Sequence, residues 1–279
     1  MSNLLHVGLD VGSTTVKIVV MDDKLNTIYR DYQRHFSDTK NTVCNVLENL
    51  AEKYPENEFT IALTGSGAMS AAKFLDLPFI QEVVSCKRAV EKYIPKTDVV
   101  IELGGEDAKI IYFDKSIEQR MNGSCAGGTG AFIDQMASLL NTDPTGLNEL
   151  AKNYQTIYPI ASRCGVFAKT DIQPLLNEGA AKEDIAVSIF QAVVNQTISG
   201  LACGRPIRGN VAFLGGPLNY LSELRKRFIE TLHLTDDEII VPEEAHLLVA
   251  KGAALDSVEE AKPITVEKLK SKIEVLRVS

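Results

Sequence analysis

Three things are missing from this sequence: a long apolar run, an excess of positive charge, and closely paired cysteines. No uninterrupted apolar stretch approaches the roughly 18 to 20 residues that a membrane-crossing helix needs. The opening MSNLLHVGLD has neither the basic start nor the apolar core of a secretion signal. Basic residues are outnumbered, 29 Lys and Arg against 37 Asp and Glu, for a net charge of −8. That balance leaves no electrostatic footprint for nucleic acid or an anionic membrane. The five cysteines, Cys44, Cys86, Cys125, Cys164 and Cys203, include no C-x-x-C pair, so a zinc ribbon or thioredoxin-type site has no support. His6, His35, His233 and His246 lack metal-ligand spacing and are given no role. These absences predict a cytoplasmic chain without nucleic-acid or membrane partners, its cysteines thiols or metal ligands rather than disulfides.

What is present is an ordinary globular composition, 45% hydrophobic and 24% charged over 279 residues, enough for one large or two medium domains. A repeat organises it. Residues 7–22, VGLDVGSTTVKIVVMD, read as strand, glycine turn and β-branched strand, and residues 99–114, VVIELGGEDAKIIYFD, do the same. Asp10 aligns with Glu102, Gly12 with Gly104, Lys17 with Lys109 and Asp22 with Asp114, each pair 92 residues apart. One such hairpin is common, and two could simply be tight turns in a sheet. Two copies matched at four polar positions predict a duplicated α/β domain with the glycine turns facing a cleft. Such turns offer N–H groups to phosphates, and the carboxylates suit magnesium held through water.

Between and after the repeats, TVCNVLENLAEKY and CKRAVEKYI read as helices, and FTIALTGSG as a strand ending in a glycine turn. Helices are also predicted over 131–140 and 182–200. NVAFLGGPLNYLSELRKRFI is strand, turn and helix again, and supplies a third glycine pair, Gly215 and Gly216. Three glycine turns at strand ends suit one nucleotide, two for its phosphates and one for its nucleoside. HLLVAKGAAL reads as a small-residue helix packed close on a sheet. In the tail over 256–279, SVEEAKP reads as a charged linker. Val266, Leu269, Ile273 and Leu276 then form a helical stripe that either covers the body or begins another module, the modular reading being preferred.

NGSCAGGTGAF, residues 122–132, sets four glycines around Cys125 and runs into a helix. A glycine-rich turn at a helix start cradles an anion, and a thiolate or an anionic cluster bound to one would be content in that field.

DVGSTTVK, LGGEDAK and FLGGPLNY resemble the phosphate and adenosine motifs of the acetate kinase, sugar kinase, Hsp70 and actin superfamily. NGSCAGGTGAFIDQMASLL together with IASRCGVFAKTDI resembles the activators of 2-hydroxyacyl-CoA dehydratases and the ATPase subunits of benzoyl-CoA reductase, over about residues 4–256. The resemblance implies a duplicated ribonuclease H-like fold of the actin, Hsp70 and sugar-kinase type, with the nucleotide cleft between domains. It implies domains over 1–95, with 246–256 returning to it, and over 96–245, carrying the cluster cysteines. Residues 257–279 remain as linker or C-terminal helix.

It further implies ATP/ADP, Mg2+ and one 4Fe–4S cluster shared by a homodimer, two cysteines from each subunit. The electron comes from ferredoxin or flavodoxin, and ATP hydrolysis, coupled to a dimer rearrangement, drives it into the partner dehydratase or reductase component. Residue by residue, the cluster falls on Cys125 and Cys164. Phosphate and magnesium fall on Asp10, Gly12, Ser13, Thr14, Thr15 and Lys17, and on Glu102, Gly104, Gly105, Glu106 and Asp107; Asp10, Glu102 and Asp107 are the catalytic candidates. Gly128 and Thr129 join the nucleotide side, Thr129 and Gly130 relaying the cluster's position, and Gly215 and Gly216 take the adenosine.

Three departures stand out. Glu102 replaces the family's usual Asp and Glu106 a common Gln, which bears on metal placement rather than on the site. CAGGTG replaces the short activators' CAAGTG and looks more like the activase domains of long, fused proteins.

Cys125 and Cys164 alone sit in glycine-rich or turn-like surroundings, and two per chain require a two-fold axis to complete four ligands. Cys44 and Cys203 are predicted as small helical core residues, while Cys86, at a predicted helix start, stays open. A cluster held by Cys86, Cys125, Cys164 and Cys203 of one chain has no spacing argument behind it. Two rivals remain. A small-molecule kinase, for sugars or amino sugars, would use Asp107 or Asp134 as base and leaves both cysteine motifs unexplained. A nucleotide-switched assembly protein lacks obvious inserts for lengthwise contacts.

Overall fold

Leu4–Val11 (β1) and Thr15–Met21 (β2) are rich in Val and Ile and buried along nearly their whole length, as strands covered on both faces must be. The computed structural model, which describes residues 3–114, 116–122, 127–162 and 164–278, pairs them antiparallel from His6 and Met21 to Val11 and Val16. Thr27–Arg34 (β3) adds an antiparallel, half-exposed edge. Thr39–Lys53 (α1) starts on an Asp38 side chain that accepts from the Asn41 N–H, and buries Val43, Leu47 and Leu50 on one stripe. Glu58–Thr64 (β4) then returns parallel to β1, bringing Thr64 beside Asp10. Ala68–Leu75 (α2) and Glu82–Tyr93 (α3) follow.

The next residues repeat this order. Val99–Leu103 (β5) and Ala108–Phe113 (β6) pair antiparallel, with Glu102 opposite Lys109 as Asp10 is opposite Lys17, and Ile117–Asn122 (β7) forms the edge. Four helices intervene: Gly130–Leu139 (α4), Pro144–Ala151 (α5), Gly165–Asn177 (α6) and Lys182–Thr197 (α7). Val211–Leu214 (β8) lies parallel to β5, and after Gly216–Tyr220 (α8) and Ser222–Leu232 (α9) comes the short Ile239–Ile240 (β9), parallel to β8.

α7 continues into a π-helical turn, Ile198–Ala202. The combined stretch of 21 residues is long and apolar enough, by length and composition, to cross a membrane. A search for uninterrupted apolar runs misses it because Ser188, Gln191, Asn195 and Gln196 interrupt them. Two-thirds of its apolar window is buried, and Ile185, Ile189, Phe190, Val193 and Val194 lie in the surrounding core, so it is a core helix.

The chain returns to the first unit through Leu248–Glu260 (α10), Ile264–Thr265 (β10) and Val266–Val278 (α11). The two compact units are the residues up to Pro95 together with those from Leu247 onward, and Lys96–His246. Their strand orders correspond, β3-β2-β1-β4-β10 and β7-β6-β5-β8-β9, differing only in that β10 runs antiparallel to its neighbour.

α10 is the small-residue helix of the sequence, and its contacts explain the small residues. A Cβ on Gly8 would sit 2.0 Å from the Ala250 carbonyl oxygen, and one on Gly252 1.8 Å from that of Ser85. β1, α10 and α3 thus approach backbone to backbone. The stripe Val266, Leu269, Ile273 and Leu276 of α11 is buried in the core of the first unit, over α1 and α2. It therefore covers the body rather than beginning another module, and the first four residues of SVEEAKP belong to α10 rather than to a linker.

Candidate functional site

In the first unit the sequence Val11-Gly12-Ser13-Thr14-Thr15 closes the β1–β2 hairpin, the Gly12 N–H donating to the Thr15 carbonyl at 2.9 Å. Asp10 and Lys17, register partners on one sheet face, form a buried ion pair at 2.7 Å. Thr64 is the register partner of Asp10 on its other side, so its side chain shares that face. Its fully buried hydroxyl has no hydrogen-bond partner among the described residues. Buried hydroxyls are ordinarily satisfied. An oxygen-ligated cation or its water shell beside Asp10 would satisfy this one, so these residues fit the magnesium the resemblance implies.

Gly12 differs from the glycines around it. Its φ is outside the left-handed region, and a Cβ there would meet only Thr15 atoms, at 3.6 Å and beyond. The fold does not require glycine there, whereas close approach by a phosphate would. Gly65, just after β4, is required by the fold: its φ is +98°, and a Cβ would lie 2.4 Å from the Val11 carbonyl oxygen and 2.5 Å from Asp10 Oδ1. The Gly67 N–H also donates to that Val11 carbonyl, at 2.8 Å.

The second unit builds the same corner. The Gly104 N–H donates to the Asp107 carbonyl at 2.8 Å, and Glu102 and Lys109 are both buried. Lys109 Nζ is 2.6 Å from Asp107 Oδ2, so Asp107 is engaged by a cation. Gly105 and Glu106 complete this turn. Gly215, at the end of β8, has a φ of +86° and would place a Cβ 2.0 Å from the Leu103 carbonyl oxygen. It is the counterpart of Gly65, meeting the residue that follows the acidic one. Gly216 opens α8 with Pro217.

The helix that follows the cysteine segment is fastened to this turn. The N–H groups of Gly130 and Ala131, the first residues of α4, donate to the Gly104 and Gly105 carbonyls at 3.0 and 2.7 Å. A Cβ on Gly130 would meet the Gly104 oxygen at 3.1 Å and Gly105 Cα at 3.3 Å. Thr129 is fully buried before it, and Gly128, with a φ of +81°, packs on the Gln196 and Thr197 side chains.

Cys125 lies outside the described residues. Cys164 is half-buried and stands immediately before α6, whose first turn has no side-chain cap. Gly165 beside it faces Gln135 and Phe132 of α4, so the start of α6 lies against that helix. Among the described residues no three His, Cys, Asp or Glu side chains cluster as a metal site.

The other cysteines separate cleanly. Cys44 is in the first unit's core, where burial pushes its thiol above the usual range. Cys86 is not at a helix start: α3 begins at Glu82, and the thiol is buried. Cys203 is not a helical core residue. The π-helical turn ends α7 early, and Cys203 follows in left-handed conformation, exposed. Asp134 lies on α4, one helical turn past Gly130, and His233 just past α9.

One residue that sequence reading passed over belongs here. His35, buried at the end of β3, places Nε2 3.2 Å from the Gly12 carbonyl oxygen, and its own N–H donates to the Thr14 carbonyl. Its spacing from other histidines carries no hint of this, because its partner is a carbonyl.

Two sheets of matching strand order, each with an acidic residue and a glycine turn at its first hairpin, define a duplicated ribonuclease H-like ATPase fold of the actin, Hsp70 and sugar-kinase type. Within it, the chain belongs to the BadF/BadG/BcrA/BcrD ATPase family, matching it over residues 7–257. It is 32% identical over 263 residues to the 2-hydroxyisocaproyl-CoA dehydratase activator of Clostridioides difficile, covering 92% of this chain and 96% of that one. The crystal structure of component A of (R)-2-hydroxyglutaryl-CoA dehydratase from Acidaminococcus fermentans superposes with a TM-score of 0.80 at 27% identity, covering 93% of this chain and 100% of that one. The structure of the Clostridium difficile activator with bound ADPNP gives 0.77 at 29% identity, covering 94% and 99%.

Proposed function

We propose that this chain is an ATP-hydrolysing iron–sulfur activator that delivers a low-potential electron to a partner 2-hydroxyacyl-CoA dehydratase or a related CoA-thioester reductase. The observation that supports this best is the fastening of α4 to the second glycine turn by the Gly130 and Ala131 N–H groups. The segment just before α4 carries Cys125, and the turn that α4 grips is the one assigned to phosphate. A change in that turn when ATP becomes ADP reaches the cysteine segment through two backbone hydrogen bonds.

The remaining roles follow from chemistry. Ser13, Thr14 and Thr15 in the first turn and Gly105 in the second offer backbone N–H groups to the phosphates, the Gly12 and Gly104 N–H groups closing their own turns, and Gly215 and Gly216 take the adenosine. Asp10 with the Thr64 hydroxyl in the first unit suits magnesium and its waters, as the Glu102 carboxylate does in the second, and Lys17 balances the charge at Asp10. Asp107, one of the two carboxylates a sugar kinase could use as its base, is engaged by Lys109.

The N–H groups at the start of α6 carry no side-chain cap and are left to face an anionic group held at Cys164. With Cys125, each chain supplies two thiolates, and a homodimer supplies four. A 4Fe–4S cluster bound there would provide one-electron transfer at low potential. Ferredoxin or flavodoxin is the proposed donor, and the cytoplasm the proposed compartment.

The test is iron and acid-labile sulfide per chain after strictly anaerobic purification. About two of each per chain is the expected result, one cluster shared by two subunits. About four would move the cluster within one chain, and none after anaerobic reconstitution would end the electron-transfer reading and revive the kinase.

A further inference from the structure

We propose that His35 is a positioning residue for the first phosphate turn: its neutral imidazole fixes the Gly12–Ser13 peptide so that the Ser13 N–H is aimed at the nucleotide. The inference rests on the nucleotide site proposed above and deepens it. It begins with the tautomer. The Ser37 backbone N–H donates to His35 Nδ1 at 3.2 Å, so Nδ1 carries no proton and Nε2 does. Nε2–H therefore donates to the Gly12 carbonyl, 3.2 Å away.

The consequence for the turn follows from peptide geometry. No peptide bond among the described residues is cis, and in a trans peptide the C=O and the following N–H point in opposite directions. Holding the Gly12 carbonyl toward His35 turns the Ser13 N–H away from it. The Thr14 carbonyl is held the same way by the His35 backbone N–H, at 3.1 Å. One residue thus anchors two carbonyls of a four-residue turn and turns the N–H groups that follow them, of Ser13 and Thr15, away from itself. The Gly12 N–H is already taken by the Thr15 carbonyl, so Ser13 is the donor this arrangement orients.

The segment that follows His35 is strained, and the packing of Phe36 does not explain it. Phe36 and Ser37 are consecutive non-glycine residues in left-handed conformation, with φ of 46° and 69°, and the Phe36 side chain is 82% exposed. Such strain persists where the surroundings over-determine it, and it concentrates at binding sites. Here it turns the Ser37 N–H back onto Nδ1. Thr39 Oγ1 lies 3.4 Å from the same nitrogen.

Two substitutions separate positioning from mere support of the turn. His35→Gln carries an amide nitrogen at the place of Nε2 and nothing at that of Nδ1; His35→Asn does the reverse. Affinity for a fluorescent ATP analogue is measured on the full chain, with thermal melting alongside. Positioning predicts that H35N weakens binding about tenfold or more while H35Q stays within about threefold of the parent, in the range of one oriented hydrogen bond. Equal affinities, or loss in H35Q with H35N intact, overturn the proposal while leaving the nucleotide site standing. No binding by the parent chain overturns both. Should H35N fail to fold, imidazole 15N shifts of the parent decide: a neutral ring protonated at Nε2 with and without nucleotide supports positioning, and a ring protonated at Nδ1 overturns it.

Discussion

The same connection, from the third strand of a sheet to the helix that follows, serves different ends in the two units. In the first it is short, and its His35 grips the carbonyls of the Gly12 turn. In the second it is the glycine-rich cysteine segment, and the helix beyond it grips the carbonyls of the Gly104 turn with backbone N–H groups. Strand order, hairpin register and the strand-end glycines Gly65 and Gly215 correspond, while this connection does not. Duplication preserved what the sheet needs to place an acidic residue beside a glycine turn. Chemistry diverged in the segment that touches the turn without belonging to the sheet.

The comparison divides the glycines into those the fold requires and those it leaves open, and substituting them gives the largest effect. Gly215→Ala forces a Cβ to within 2.0 Å of backbone at a φ of +86°, and Gly65→Ala forces one to within 2.4 Å at +98°. Each is expected to cost about 3 kcal/mol or more in denaturant unfolding, since no flexible side chain can yield. Gly12→Ala, with no contact closer than 3.6 Å, is expected to change stability by less than about 1 kcal/mol yet weaken nucleotide binding at least about tenfold. If Gly12→Ala unfolds the protein, or binds nucleotide like the parent, the division is wrong.

A second contrast sets the cysteine half against the core half. Cys164→Ser is expected to abolish iron binding on anaerobic reconstitution while leaving the melting of the iron-free protein unchanged, because serine is itself a good residue at a helix start. Cys44→Ser should behave oppositely. It buries a hydroxyl in the first unit's core and is expected to cost about 1 to 3 kcal/mol with iron content unaltered. Iron retained by Cys164→Ser would return Cys203, which is exposed in the same unit, to consideration.

Both hairpins, the Gly215 turn, the close-packed α10 and the stripe of α11 were legible in the sequence because each is written in local periodicity or turn chemistry. What was not legible depends on strand order and on backbone handedness. Thr64 ends a recognisable strand, but only the parallel pairing of β4 with β1 puts it beside Asp10. His35 reaches Gly12 by running on from β3 alongside β2, and left-handed Phe36 and Ser37, residue types that give no sign of that conformation, turn the Ser37 N–H onto its ring. Cys203 read as helical because the apolar pattern of α7 continues past Thr197, and the switch to π-helical hydrogen bonding has no such signature.

The smallest expected effect tests how each unit ties its first strand to its neighbour. In the first, His6 Nδ1 lies 2.7 Å from the Thr60 hydroxyl, which meets Ser257 of α10 at 3.0 Å. The Ser257 hydroxyl donates to the Ala254 carbonyl, so Thr60 donates to Ser257 and accepts from His6. In the second unit, the residue 92 positions after His6 is Asp98, whose carboxylate accepts from the Asn210 N–H at 2.7 Å. Burial lowers the His6 pKa below its ordinary value, opposed by Asp23 and Asp22. Between the folded value and the unfolded one near 6.5, the unfolded chain binds the extra proton, so stability falls as pH drops through about 6.5 and levels off below the folded value. Asp256 on α10, raised by burial, acts in the other sense, its contribution fading as pH rises from about 3.8 through its folded value. Amide exchange of β1 and α10 is therefore expected to quicken between pH 7 and pH 5.5 beyond its intrinsic pH dependence, with β5 and β8 unaffected. His6→Asn, which keeps a donor toward Thr60 but cannot titrate, should remove that response and leave the Asp256 contribution in place. A response that persists in His6→Asn, or that appears equally in β5 and β8, would show that the imidazole is not its source.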